Sequence, residues 1–352
     1  MAKKSLGQFY TTNYAYILQN LSIPPNTQTI IEPFVGQGDL LKFAGDDKVF
    51  ECYDIDPKIE NATIRDTLID PPDYCGKFVL TNPPYLARNK SNDKKIFDKY
   101  DQNDLFKCFI SELISNVCDG GIIIIPLNFW SSIRKTDIEL RQRFLTVYEV
   151  MTLNIFEEKV FNDTSYTVCS FRFQKANGGE IVPECFIYPG GKKIEFNLTE
   201  ENHFMVGGEI YSLPQSKAIK VERLTRLNIK SQNKTHILAK CIDDTEPINL
   251  RIVSDKEVFI DRTEKLSARS YATLVITPKI SKEKEETLVA EFNTFLDEKR
   301  KKYNSLFLSN YRESTITARK RISFGLIFKI VNYLLSIPKA IEPIEPIEPK
   351  GN

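Results

Sequence analysis

The chain has 352 residues, 41% of them hydrophobic and 27% charged, which suits two packed domains and excludes a largely disordered polypeptide. Lys and Arg number 48 against 47 Asp and Glu, a net charge of +1, so any basic surface for a polyanionic partner has to be local. Seven scattered cysteines, none in a C-x-x-C pair, and two histidines without ligand-spaced companions exclude a disulfide framework and a zinc ribbon, and no metal is expected.

Met1 to Tyr10 is polar and basic with no apolar segment behind it, so no signal peptide is expected and a reducing, intracellular compartment is. Short β-branched runs then alternate with helical patterns, the sequence form of βαβ units around a buried parallel sheet. Strands are predicted at Thr29 to Glu32, Val49 to Tyr53, Phe78 to Thr81 and Gly121 to Pro126. Helices are predicted at Leu40 to Phe43 and Asp104 to Val117, the latter with Leu105, Phe109, Leu113 and Val117 on one face. Val150 to Ile155 and Thr167 to Phe173 close the sheet as a hairpin. After Asn177-Gly178-Gly179 the βα rhythm gives way to short strands punctuated by Gly and Pro, which puts a domain boundary near 176. A charged amphipathic helix from about Lys282 to Tyr303 and an apolar one over Phe324 to Leu335 follow. The apolar stretch Ile322 to Ile337 is broken by Lys329 and Asn332 and falls short of the ~20 residues of a membrane span, so no membrane is expected. The tail Ile341 to Pro349 repeats Ile-Glu-Pro and is expected to be extended and disordered.

Three segments carry chemistry. Ile31 to Leu41 reads as a strand, a Gly36-Gln37-Gly38 turn and a helix, where glycines let the backbone approach a ligand closely; Leu41 stands where a dinucleotide fingerprint has its third glycine. Asp54 ends the next strand, where a carboxylate accepts hydrogen bonds from both ribose hydroxyls of a nucleoside, and Asp66 is placed to accept from an adenine amino group. The third segment, Val79 to Tyr85, is an apolar strand that ends in Asn82-Pro83-Pro84-Tyr85. Two prolines fix φ and remove two amide donors, so the turn presents rigid carbonyls. The amino nitrogen of adenine is a poor nucleophile because its lone pair is delocalised into the ring. Acceptance of its two hydrogens by the Asn82 side-chain oxygen and the Pro83 carbonyl favours a pyramidal nitrogen, while Tyr85 stacks on the base.

On these motifs the chain resembles S-adenosylmethionine-dependent DNA adenine-N6 methyltransferases with cofactor motifs first and target recognition last. The resemblance covers residues 5 to 175 well and the rest weakly. It implies cofactor contacts from Gln8, Tyr10, Thr11 and Thr12 of the N-terminal motif, Glu32, Pro33, Phe34, Gly36 and Gly38 of the glycine loop, and Asp54, Ile55, Asp66 and Asn82. It implies catalysis by Asn82, Pro83, Pro84 and Tyr85. Lys159-Val160-Phe161-Asn162 resembles the family segment whose aromatic stacks on the far face of an extruded base, here Phe161; a core phenylalanine at the mouth of the hairpin fits that position equally.

The fold class implied is α/β: a Rossmann-like domain over residues 1–175 with a mostly parallel seven-stranded sheet, a smaller α+β DNA-recognition domain over 176–338, and a tail from 339. The implied partner is double-stranded DNA, met by a monomer that serves a restriction-modification system beside a restriction endonuclease. Basic residues cluster at Lys299, Arg300, Lys301, Lys302, Arg312, Arg319, Lys320 and Arg321 against the acid Glu313, with Tyr303, Phe307 and Tyr311 interleaved. Tyr311, Arg312, Arg319, Lys320 and Arg321 are therefore the expected DNA contacts. Two alternatives remain open: a protein glutamine N5-methyltransferase, whose substrate amide also needs two acceptors, and a catalytically idle DNA-binding relative.

Overall fold

The computed structural model describes residues 7–45, 47–161, 166–178, 182–243, 246–262, 270–308, 310–313 and 318–338, without the side chains of 310–313, 318 and 319; the Ile-Glu-Pro tail lies outside them. The chain divides into two compact units. One comprises Met1–Ser212, Ile242–Pro247 and Glu298–Ile322; the other comprises Leu213–Cys241, Ile248–Asp297 and Ser323–Asn352.

The first unit is built on a nine-stranded sheet in the order β3-β2-β1-β4-β5-β7-β6-β8-β9. After the short helix α1 (Tyr14–Ile17), β1 (Thr29–Glu32) leads through α2 (Leu41–Ala44) to β2 (Val49–Asp54), with β3 (Thr63–Ile64) at the edge. Next come β4 (Phe78–Thr81), α3 (Lys95–Tyr100), α4 (Leu105–Ser115) and β5 (Gly120–Pro126). The pairs β2–β3, β1–β2, β1–β4 and β4–β5 are parallel. Central strands buried on both faces have to be apolar throughout, which is why Ile122, Ile123, Ile124 and Ile125 run in succession at 0% exposure. The helix α4 buries most of its circumference, Phe106 to Leu113, rather than the single stripe expected, and it ends at Ser115.

Helices α5 (Asn128–Ser131) and α6 (Lys135–Val147) precede the antiparallel pair β6 (Tyr148–Phe156) and β7 (Val168–Lys175). The α6 sequence is too polar to stand out as a core helix, yet Arg141 is fully buried in it. Its guanidinium donates to the carbonyls of Phe129 (2.6 Å), Ser132 (2.7 Å) and His203 (2.9 Å), and desolvation lowers its pKa to about 10. Lys107 of α4 and Asp137 of α6 form a second buried tie at 2.6 Å.

Two expectations are corrected here. The sheet has nine strands rather than seven, because the outer edge of β6 is paired: Thr152–Phe156 run parallel with Glu184–Tyr188 of β8 (Glu184–Tyr188), and β9 (Lys192–Glu195) adds antiparallel to β8. A bare edge would leave a row of backbone groups without partners. For the same reason the boundary expected near 176 falls between two strands of one sheet, and the first unit continues to Ser212.

The second unit holds a four-stranded antiparallel sheet in the order β10-β13-β11-β12, made of β10 (Lys220–Arg223), β11 (Lys234–Lys240), β12 (Asn249–Ile252) and β13 (Tyr271–Thr277). Helix α7 (Lys282–Tyr303), which belongs to this unit as far as Asp297, buries Leu288, Phe292 and Leu296, and α8 (Phe324–Ser336) buries Phe324, Leu326, Ile327, Ile330 and Val331. The ribbon β14 (Asn310–Glu313) and β15 (Ala318–Arg321) belongs to the first unit, not to the C-terminal one. Among the described residues no helix is long and apolar enough to cross a membrane, and no group of His, Cys, Asp and Glu is arranged to hold a metal ion.

Candidate active site

Because β2, β1 and β4 are parallel neighbours, their carboxyl ends meet at one edge of the sheet and deliver Asp54, Glu32 and Thr81-Asn82 there. Glu32 is 1% exposed; its Oε1 accepts the Phe34 N–H at 3.2 Å and the Thr81 hydroxyl. Burial pushes its carboxyl up to about 8 against the opposing pull of those two donors. Glu32 is thus an internal tie between β1, the glycine loop and β4.

The loop turns at Gly36 (φ 50°) and Gly38 (φ 75°), conformations L side chains rarely adopt, and a Cβ on Gly36 would meet the Tyr10 ring at 3.2 Å. Asp54, 4% exposed, anchors that loop. Its Oδ2 accepts the Gly36 N–H at 2.9 Å, and its Oδ1 accepts the Asp56 N–H at 2.9 Å and the Gln8 Nε2 at 3.5 Å. Asp66 Oδ1 caps the next turn, accepting from Leu68 N (3.1 Å) and Ile69 N (3.2 Å), while the Thr67 hydroxyl donates to the Pro33 carbonyl at 3.1 Å. These groups border a cavity of about 210 Å³.

Asn82 and Pro84 of the Asn82-Pro83-Pro84-Tyr85 turn form the adjoining wall, while Pro83 and Tyr85 are buried and do not line the cavity. Asn82 Nδ2 donates to the Phe9 carbonyl (2.7 Å) and to Thr11 Oγ1 (3.0 Å), so its Oδ1 faces the Tyr85 hydroxyl, whose single proton is shared between that oxygen and the Ile124 carbonyl (2.8 Å). The Tyr85 N–H donates to the Gly7 carbonyl at 2.9 Å. Tyr85 is 3% exposed, and burial holds its hydroxyl well above the ordinary phenol range. The Phe9 ring packs on it at 5.2 Å between centroids and on Phe161 at 6.3 Å, and Phe161 is itself 4% exposed. The two rings expected to hold a base are covered: Phe9 packs on both, and Phe106 (6.2 Å) and Tyr166 (6.1 Å) pack edge-on against Tyr85.

Of the expected site residues, Gln8, Tyr10, Phe34, Gly36, Asp54, Ile55, Asp66, Asn82 and Pro84 line this one cavity. Thr11 lies behind Asn82 and Thr12 is exposed, while Glu32, Pro33 and Gly38 shape the loop without lining the cavity. The sequence reading missed Arg65, Leu68, Ile96, Phe97 and Leu105 in the wall. Arg65 and Leu68 flank Asp66 and were within reach; Ile96 and Phe97 sit in a lysine- and aspartate-rich stretch that reads as surface.

Among the described residues, three of the eight basic residues are paired. Lys299 pairs with Glu209 (2.8 Å), Arg300 with Asp243 (3.3 Å) and Lys320 with Glu157, all within the first unit. Arg321 is half-buried and its backbone bridges to Ile242; the side chains of Tyr311, Arg312 and Arg319 lie outside the described residues.

No protein-family model and no curated protein matches the sequence. Among solved structures, the chain is similar to a modification subunit of a putative type I restriction enzyme from Vibrio vulnificus, at 13% identity and a TM-score of 0.40, over 60% of this chain and 54% of that one. It is also similar to DrdV from a DrdV–DNA complex (13% identity, TM-score 0.42, 68% of this chain and 35% of that one). A third similarity is to a putative class I S-adenosylmethionine-dependent methyltransferase from Listeria monocytogenes (14%, TM-score 0.36, 53% and 65%). The chain spans about half the length of the first of these.

Proposed function

We propose that the chain transfers a methyl group from S-adenosylmethionine to the N6 amino group of an adenine extruded from duplex DNA, as the modification half of a restriction-modification system. One observation carries the reading: a buried strand-end carboxylate, Asp54, and the acceptor turn at Asn82 border the same cavity.

The residues present fit the cofactor. Asp54 accepts from Gly36 at Oδ2 and from Asp56 and Gln8 at Oδ1, which leaves the second lone pair of Oδ2 for a ribose hydroxyl. Asp66 has its second oxygen for an adenine amino group, and Leu68, Ile96 and Phe97 supply apolar walls for a purine. Gly36, without a side chain, leaves room for the methionine portion beside Tyr10. The cofactor, when bound, supplies an activated methyl group.

Toward the target, Asn82 Oδ1 accepts one bond from Tyr85 and has a second lone pair, which with the Pro83 carbonyl accepts the two amino hydrogens. The Nδ2 contacts to Phe9 and Thr11 fix the amide so that this oxygen, not the nitrogen, faces the target. Extrusion costs a few kcal/mol, offset by stacking and by these acceptors. Phe9 fills the space beside Tyr85 and Phe161, so the incoming base displaces it. The ribbon residues Arg319 and Arg321 are candidate phosphate contacts; the Lys320 ammonium is held by Glu157.

The test is digestion of the protein's own expression plasmid with a panel of methylation-sensitive restriction enzymes. Protection at one short sequence from the active protein, and none from Asn82→Ala, supports the reading. Methyl transfer absent from every DNA offered would overturn it.

A further inference from the structure

The second unit carries a surface with an unusual combination of apolar exposure and charge. The turn after β10 runs beside the segment that leads into β13. Thr225 bridges to Asp261, the Asp261 N–H donates to the Leu224 carbonyl at 3.0 Å, and the Phe259 N–H donates to Thr273 Oγ1 at 2.9 Å. The turn is rigid. Asn228 closes it by accepting the Thr225 N–H (2.7 Å) and donating to the Arg223 carbonyl (3.0 Å), and a buried Arg223–Asp261 ion pair at 2.7 Å clamps its base.

On this frame Leu227 stands 81% exposed and Ile229 43%, with Phe259 (40%), Ile260 (37%) and Tyr271 (37%) on the neighbouring segment; the Phe259 and Tyr271 rings lie 6.5 Å apart. Leaving this much aliphatic and aromatic surface in water is unfavourable unless a partner covers it. The charges choose the partner. In residues 224–231 and 258–262 the exposed charged side chains are Arg226, Lys230 and Arg262, all cationic; the acid Asp261 is buried against Arg223, and the exposed acids just before this stretch, Asp255 and Glu257, are engaged by His236 and Ser254. A second protein surface apolar enough to cover Leu227 would strand these cations, whereas a duplex offers phosphates beside base steps that apolar wedges enter.

We propose that this surface meets the DNA duplex, with Arg226, Lys230 and Arg262 on phosphates and Leu227 pressed against base edges or steps. The proposal rests on the reading of the chain as a duplex-modifying enzyme and adds a DNA contact separate from the ribbon candidates Arg319 and Arg321.

The test uses the full chain, a short fluorescent duplex and anisotropy over a salt series, with S-adenosylmethionine affinity and thermal midpoint as controls for folding. Replacing Arg226, Lys230 and Arg262 together by Ala is expected to flatten the slope of log affinity against log salt by up to about 2.7, at about 0.9 per phosphate contact. Leu227→Ser, at an exposed position that the fold does not need, is expected to weaken binding about tenfold with the slope kept. Parent-like slope and affinity in both variants, with methylation by the parent intact, would overturn this surface while leaving the proposed activity standing. A parent that neither binds the duplex nor methylates it overturns both. If Leu227→Ser instead dissociates a dimer of the chain without changing DNA affinity, the patch covers a second copy and the proposal fails.

Discussion

Asp54→Ala perturbs two things, and the structure separates them. Removing the carboxylate strands the buried Gly36 N–H, now bonded at 2.9 Å, and an unsatisfied buried donor costs about 1–3 kcal/mol of stability. It also removes a charged acceptor from the cavity, and a hydrogen bond to a charged group contributes about 1.5–3 kcal/mol, so S-adenosylmethionine should bind about ten- to 150-fold more weakly. A loosened glycine loop alone would produce part of that loss. The discriminating assay is calorimetric titration with S-adenosylhomocysteine and with its dideoxyribose analogue. The parent is expected to prefer the ribose form by the share of that loss that the hydroxyl contacts carry, and the variant is expected to bind both forms alike. A variant that keeps the parent's preference would show that Asp54 only braces Gly36, and would refute the ribose assignment.

Phe9→Ala removes the ring packed on Tyr85 and Phe161 and is expected to lower KM for DNA with KM for the cofactor unchanged; a raised KM for DNA would show instead that Phe9 helps seat the base. Glu32 is a pH probe. Its folded pKa of about 8 lies above the ordinary 4.5, so the native state holds a proton that the unfolded state has lost between those values. The associated stability is fully present below about pH 4.5 and is lost as pH rises through about 8, with a slope of up to about 1.4 kcal/mol per pH unit. Denaturant melts of Glu32→Gln should show a shallower decline than the parent, the residual slope including Asp104, whose carboxyl burial pushes up to about 7. Parallel curves for parent and variant would mean that Glu32 is ionised in the fold.

The parts of the site that were legible in the sequence are local. Glu32 and Asp54 end short strands and Asn82 directly follows a third, and parallel pairing of those strands is enough to bring them to one edge. Gly36 and Gly38 were legible because their backbone angles admit little else. What was not legible depends on distant partners. No local pattern says that Ile96 and Phe97 turn inward from a charged stretch, or that Phe9 packs on Tyr85, seventy-odd residues away. The β8–β9 extension was missed because short strands after a Gly-Gly turn look alike whether they join an existing sheet or begin a new one. The charge count overstated part of the basic cluster for a related reason: charge counted along the chain hides carboxylates brought by the fold, and Glu209, Asp243 and Glu157 pair with Lys299, Arg300 and Lys320.

The central claim is that Asn82 Oδ1 and the Pro83 carbonyl receive an adenine amino group beside a methyl donor. It is tested most directly by incubating the protein with S-adenosylmethionine carrying an isotopically labelled methyl group, plasmid DNA and a glutamine-bearing peptide, then hydrolysing each substrate for mass spectrometry. Label is expected on N6-methyladenine alone, with a single-turnover rate reduced on the order of a hundredfold or more in Asn82→Ala while cofactor affinity is kept. Label on cytosine N4 or on the peptide amide, or a parent-like rate in Asn82→Ala, would contradict it.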